Sequence, residues 1–223
     1  MSAGHDARRG PRRIVIVGQD PVSTLAAAVA AAANGEDRVR IEPLTPDRIA
    51  GFDAVRLDSD PPDSADAFAA IGLSALNYAR YDLWAKLRFA GYRCATLVHP
   101  SAQVDASVSL GENVLVGPHA SIEPGAVIGA GTVVHAGALI GTSARIGAWC
   151  WLARGAIVGA KSVVGDHVVL GSGVQLHEFT ELPGPAEIDV AGTYRGRFAA
   201  GTFVSPEFPV RPARLVSRRP ASA

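Results

Sequence analysis

The clearest pattern along the chain is a six-residue beat of aliphatic positions in its second half. Every sixth residue from Val98 is Val, Leu or Ile: Val98, Val104, Leu110, Val116, Ile122, Ile128, Val134, Ile140, Ile146, Leu152, Val158, Val164, Leu170, Leu176 and Leu182. One residue later, Gly recurs at Gly111, Gly117, Gly129, Gly141, Gly147, Gly159, Gly165 and Gly171. Four residues later the side chain is small or β-branched, as in Ala102, Val114, Thr132, Ala138, Cys150, Ser162 and Thr180. A period of six matches neither the helical 3.6 nor the strand 2.0. It matches a coil with three flat faces, each face one short strand and one turn. The aliphatic points inward, the small residue fills the same interior near a corner, and the Gly eases the turn. Fourteen hexads from 98 to 181 make nearly five coils, a prism about 22 Å tall at roughly 4.8 Å per coil. The beat stops at Leu182-Pro183-Gly184-Pro185. Residues 186–223 carry Pro206, Pro209, Pro212 and Pro220 and no hexad, and read as an irregular tail.

The first half follows a different rule. Residues 13–95 read as a small α/β unit after a charged, flexible segment at 1–12. Residues 13–18, RIVIVG, read as a buried strand, and Pro21 to Asn34 as a helix with Ser23 as its cap. Val39 to Ile41, Asp53 to Leu57 and Ala67 to Gly72 read as further strands. Asp58 to Asp66 reads as a polar loop and Tyr81 to Ala90 as a second helix. Strand–helix alternation predicts a short parallel sheet. The strand-to-helix turn Gly18-Gln19-Asp20 is the candidate substrate-binding loop. It carries one Gly and a carboxylate, a weak signal that a plain strand–helix turn explains better.

Composition narrows the partners. Lys+Arg and Asp+Glu are both 21, which leaves no basic surplus for nucleic acid. Hydrophobic residues make up 48%, so the chain is not of the disordered class. Two cysteines, Cys94 and Cys150, build neither a disulfide framework nor a four-ligand zinc site. The run from Leu25 is alanine-rich and too short to span a membrane. No signal segment is evident, which gives a soluble cytoplasmic protein as the expectation.

A unit of about 90 residues followed by His99-Pro100-Ser101-Ala102 and hexapeptide coils resembles the NeuD/PglD-type sugar O- and N-acyltransferases. Asn77, Arg80 and Gly91-Tyr92 add to the likeness, which covers roughly residues 13–180. The resemblance implies a small Rossmann-like domain and a left-handed parallel β-helix at 96–185, with residues 186–223 as tail. It implies a homotrimer, acetyl-CoA or another acyl-CoA as co-substrate, and a sugar or nucleotide-sugar acceptor. No metal is implied. In such enzymes a groove His acts as general base, since an acceptor attacking a thioester must lose a proton.

Here the chain departs from the family pattern. The position of the family's catalytic His falls on Thr142 and its acidic neighbour on Ser143. A second family His falls on Trp151, the active-site Asn on His135, and the oxyanion-side Gly on Ala160. His135 therefore reads either as a surface or trimer-contact imidazole or as a relocated base. Trp149 and Trp151 are expected to point outward, toward a trimer contact or the CoA groove. Arg154 and Lys161, on successive coils near one rim, are candidates for CoA phosphates or ordinary solvated charge. His177 and Glu178 lie two coils below the family's catalytic corner. His119 and His167 are expected to face out, and His99 belongs to the turn. Two function readings stand: an acyl-CoA-dependent transferase, or a trimeric scaffold that has lost its base.

Overall fold

The computed structural model describes residues 12–18, 21–44, 57, 59–73, 75–206 and 213–214. Strand β1 (Arg13–Gly18) lies between β2 (Val39–Pro43) and β3 (Ala65–Ala70), all parallel, in the order β2-β1-β3. Alternation along β1 sorts its side chains. Ile14 and Ile16 face helix α1 (Val22–Asn34), while Val15 and Val17 face α2 (Tyr78–Phe89). Helix α1 starts behind Pro21 without a side-chain cap, and Ser23 is buried inside it instead of capping it. It stops at Gly35, whose φ of 92° suits a residue without Cβ. The expected third strand at 53–57 falls largely outside the described residues. The strand expected at 67–72 lies at Ala65–Ala70, and the second helix begins at Tyr78.

The hexads fold as read. Val134, Ile140 and Ile146 stand on strands of three different sheets (Val133–Val134, Leu139–Ile140, Arg145–Ile146). Each strand pairs in parallel with the one 18 residues on, as Val134 with Leu152 and Ile140 with Val158. The aliphatic and small columns form one continuous core, from Val114 and Val116 to Leu182. Where the small column carries a hydroxyl, a carbonyl accepts it inside the prism: Thr132 Oγ1 donates to Gly147 O at 2.9 Å. The glycine column has a different cause from the one its turn position suggests. A Cβ on Gly129 would sit 2.5 Å from the Ala148 nitrogen of the next coil, so these residues are small because successive coils touch there.

Beyond Leu182 the regular spacing is lost but the winding continues for one more circuit. Ala186–Ile188 pairs with Val168–Leu170, Gly192–Tyr194 with Val174–Leu176, and Thr202–Val204 with Ala186–Ile188. The solenoid thus has about six turns. Ile188 and Val204 extend the core, with Val190 and Phe198 packed against it.

The α/β unit sits on one face of the prism. The outward residues of that face, Leu97, Leu115, Val133, Trp151 and Val169, share a buried cluster with Ile14, Ile16, Ala26, Ala30 and Phe68. Both indoles expected at the surface are buried within the chain. Trp151 joins this cluster, and Trp149 packs 5.3 Å from Tyr81 and 5.4 Å from Trp84, ring centre to ring centre. The docked unit covers the apolar area that the tryptophans would otherwise expose. The sheet edge is joined to the prism by Asn113, whose Oδ1 accepts from Ala69 N–H at 2.7 Å while Nδ2 donates to Ala69 O at 3.1 Å.

Candidate active site

His135 stands where most coils place Gly, one residue past the inward Val134, at the corner after the covered face. Its backbone N–H donates to Leu152 O and its carbonyl accepts from Ala138, which fixes the turn. The ring is half-buried and lies 4.3 Å from the Trp151 indole, tilted by 57°. Nε2 is closed off from solvent and has no hydrogen-bond partner. Burial, then the charges of Arg154 and Arg80, push the imidazole down to about 4 from its ordinary 6.5. At neutral pH it is uncharged and weakly basic.

A cleft of about 340 Å³ opens beside this ring. Trp151, Arg154, Ser172, Glu187 and Asp189 line it from the prism, and Leu73 lines it from the α/β unit. Glu187 is held toward its neutral carboxyl form, first by burial and then by the charge of Asp189. The cleft therefore combines a neutral imidazole, an exposed guanidinium and two carboxylates. Glu187 and Asp189 belong to the extra circuit. No signal in the hexads pointed to them, because the repeat had already ended.

The other expected residues lie elsewhere. Arg154 stacks beneath Ala136, whose carbonyl accepts from Gly155, so it shares the His135 corner. Thr142, Ser143, Ala160 and Lys161 occupy the next corner, where Lys161 N–H donates to Thr142 O and Phe179 N–H donates to Ala160 O. Arg154 and Lys161 are thus on two corners and not on one rim. Thr142 is engaged: its N–H and Oγ1 both donate to Glu123 Oε2 at 2.7 Å. Ser143 N–H donates to Pro124 O, and Lys161 Nζ lies 5.6 Å over the Phe179 ring. His177 and Glu178 are exposed on that same corner, as their spacing implied. His119 is exposed, and His99 Nδ1 accepts from Ser101 N–H within its turn. His167 does not face solvent freely. It stacks on Tyr78 at 3.9 Å and Nδ1 donates to Leu76 O at 3.0 Å.

Gly18 has a structural reason to be glycine, since a Cβ there would meet the Ala70 carbonyl oxygen at 1.9 Å. Gln19 and Asp20 lie outside the described residues. Cys150 is core, its thiol donating to Gly165 O at 3.1 Å and pushed up to about 12 by burial. Among the described residues no group of three or more His, Cys, Asp or Glu is placed to hold a metal ion. Nor is any described helix long and apolar enough to cross a membrane.

Comparison with known proteins gives the fold its context. Residues 93–183 match the family model described as the GMPPB C-terminal domain. No curated protein sequence matches the chain. Among solved structures, a mutant of perosamine N-acetyltransferase from Caulobacter crescentus, in complex with CoA and GDP-perosamine, is 20% identical with a TM-score of 0.74. That likeness covers 90% of this chain and 96% of the other. The acetyltransferase domain of PglB from Neisseria gonorrhoeae is 19% identical with a TM-score of 0.77, covering 91% of this chain and all of that one. WeeI from Acinetobacter baumannii is 14% identical with a TM-score of 0.56, over 91% of this chain. The chain thus has the fold of the sugar acetyltransferases, an α/β unit seated on a parallel β-helix.

Proposed function

We propose that the protein moves an acyl group from acyl-CoA to an amino or hydroxyl group of a sugar or nucleotide-sugar acceptor. On this reading it works in the cytoplasm as a homotrimer, with His135 as general base. The observation that carries the reading is the likeness over nine-tenths of the chain to an N-acetyltransferase solved with CoA and GDP-perosamine. The cleft beside His135 supports it, because the imidazole that lines it is uncharged at neutral pH.

The chemistry is simple to balance. As the acceptor nitrogen or oxygen attacks the thioester carbonyl, His135 takes its proton. The new C–N or C–O bond forms, the C–S bond breaks, and the imidazolium returns the proton to the leaving sulfur. Arg154 and Trp151, at the His135 cleft, meet the co-substrate there, and Lys161 and Ala160 are the candidates for it on the next corner. Thr142 and Ser143 supply hydroxyls at the family's catalytic column, and a neutral hydroxyl is too weak a base to accept a proton near pH 7.

The test is thiol release from acetyl-CoA in the presence of nucleotide-linked amino sugars, with the mass of the assembly measured alongside. Turnover that drops about 100-fold or more in His135→Ala is the expected result. No turnover with any acceptor, or turnover untouched by His135→Ala, overturns it. A second reading, a binding protein without catalysis, is favoured by one observation: the Thr142 amide and hydroxyl are both bound to Glu123. That reading requires acetyl-CoA to raise the melting temperature while no thiol appears.

A further inference from the structure

We infer that Arg80 is the positioning residue of the His135 cleft: by tying helix α2 and the end of β3 to two successive coils, it holds the Trp151 indole against the imidazole. Its catalytic consequence rests on the acyltransferase reading, but its geometry does not.

Arg80 is fully buried. Its guanidinium reaches three backbone carbonyls from three separate segments. NH1 donates to Ile71 O at 2.8 Å, just past β3, Nε to Gly131 O at 2.9 Å, and NH2 to Cys150 O at 3.3 Å. Gly131 and Cys150 belong to neighbouring coils, so one side chain fixes the register between the α/β unit and the prism. A planar fork with donors in three directions can do this, whereas a single ammonium cannot. The guanidinium carbon also lies 5.8 Å from the centre of the Trp151 ring, within the range of a cation–π contact. Trp151 in turn lies 4.3 Å from His135, whose Nε2 is shut away from water. Three carbonyls, one indole and one imidazole thus form a chain of contacts from the domain junction to the cleft.

Charge agrees with this geometry. The partners of Arg80 are neutral, and burial lowers its pKa to about 9. The groups that bear on His135 are Arg80 behind the indole and, across the cleft, Arg154, Glu187 and Asp189. If Arg80 seats Trp151, losing it both removes a cation and opens Nε2 to water. Both effects favour the protonated ring.

The experiment follows His135 by NMR in histidine-labelled protein, for the wild type, Arg80→Met and Arg80→Lys, together with cross-peaks between the Trp151 and His135 rings. Wild type is expected to titrate at about 4. In Arg80→Met the midpoint rises by at least about one pH unit toward the ordinary value and the cross-peaks weaken. The effect of Trp151→Leu on the midpoint is expected not to add to it, because the two residues act in series. A folded Arg80→Met with the wild-type midpoint and cross-peaks overturns the inference. If Arg80→Met does not fold, Arg80→Lys decides: it keeps the cation but not the fork, so weakened cross-peaks support positioning and unchanged ones overturn it. None of these readouts needs turnover. A chain that titrates as described but transfers no acyl group sinks the acyltransferase reading and leaves Arg80 in this role.

Discussion

The imidazole of His135 and the indole of Trp151 lie 4.3 Å apart, centre to centre, at a dihedral of 57°. The contact costs the ring much of its hydration, which is the first cause of its low proton affinity. An unfolded chain protonates this His near 6.5, the folded chain only near 4. Between those values the unfolded state binds the extra proton, so stability falls as pH drops through that window and levels off below it. The loss attributable to this group is on the order of 3 kcal/mol at most. Thermal melts at pH 7.5 and pH 4.5 check it. Wild type should lose more stability on acidification than His135→Phe, and equal losses would assign the acid sensitivity to other groups.

Asn113 closes the seam between sheet and prism with one donor and one acceptor, both used on Ala69. Asn113→Ala leaves a buried N–H and C=O without partners and should cost about 2–4 kcal/mol. Asn113→Asp should be worse, because a buried carboxylate then faces the Ala69 carbonyl in place of the Nδ2 donor. Chemical denaturation of both variants gives the order. Asn113→Asp matching wild type would mean the clasp contributes nothing.

How far the fold was legible follows from what each column of the repeat has to do. The inward aliphatics cannot vary, so their beat was visible and gave the prism. Docking of the α/β unit was not read, although a signal was present. The residue before the inward aliphatic is Leu97, Leu115, Val133, Trp151 and Val169 at every third hexad, all apolar. The equivalent positions on the other faces include Gln103, Ser109, Ser121, Arg145 and Gln175. An 18-residue apolar period marks a covered face. With it, Trp151 would have been placed under the domain and not in a groove between subunits. Glu187 and Asp189 were beyond reach, since the last circuit keeps the winding through pairing and core contacts without the six-residue spacing. The low basicity of His135 was equally hidden, because its first cause is burial in the tertiary structure, with the charges of Arg154 and Arg80 adding to it.

Gly131 and Gly155 share a left-handed backbone, both at φ +67°, but not an environment. A Cβ on Gly131 would fall 2.0 Å from the Trp149 indole, whereas nothing lies within 4 Å of one on Gly155. Gly155→Ala pays only the backbone strain, about 1 kcal/mol. Gly131→Ala must also displace Trp149 from Tyr81 and Trp84, and should cost at least about 3 kcal/mol in total. Paired melts separate the two terms. Equal destabilisation would show that the indole moves aside freely.

Thr142 and His135 sit on adjacent corners, so their substitution should have opposite consequences. The Thr142 hydroxyl is one of two donors to the exposed Glu123 carboxylate, and the amide donor survives its removal. Thr142→Ala should therefore cost less than about 1 kcal/mol. If His135 is the base, Thr142→Ala also leaves acyl transfer within about twofold of wild type, while His135→Ala lowers it by about 100-fold or more. The comparison is informative because the family's catalytic column runs through Thr142. A large loss in Thr142→Ala with little change in His135→Ala would return the chemistry to that column, and a hydroxyl held by Glu123 would then have to do what an imidazole does elsewhere.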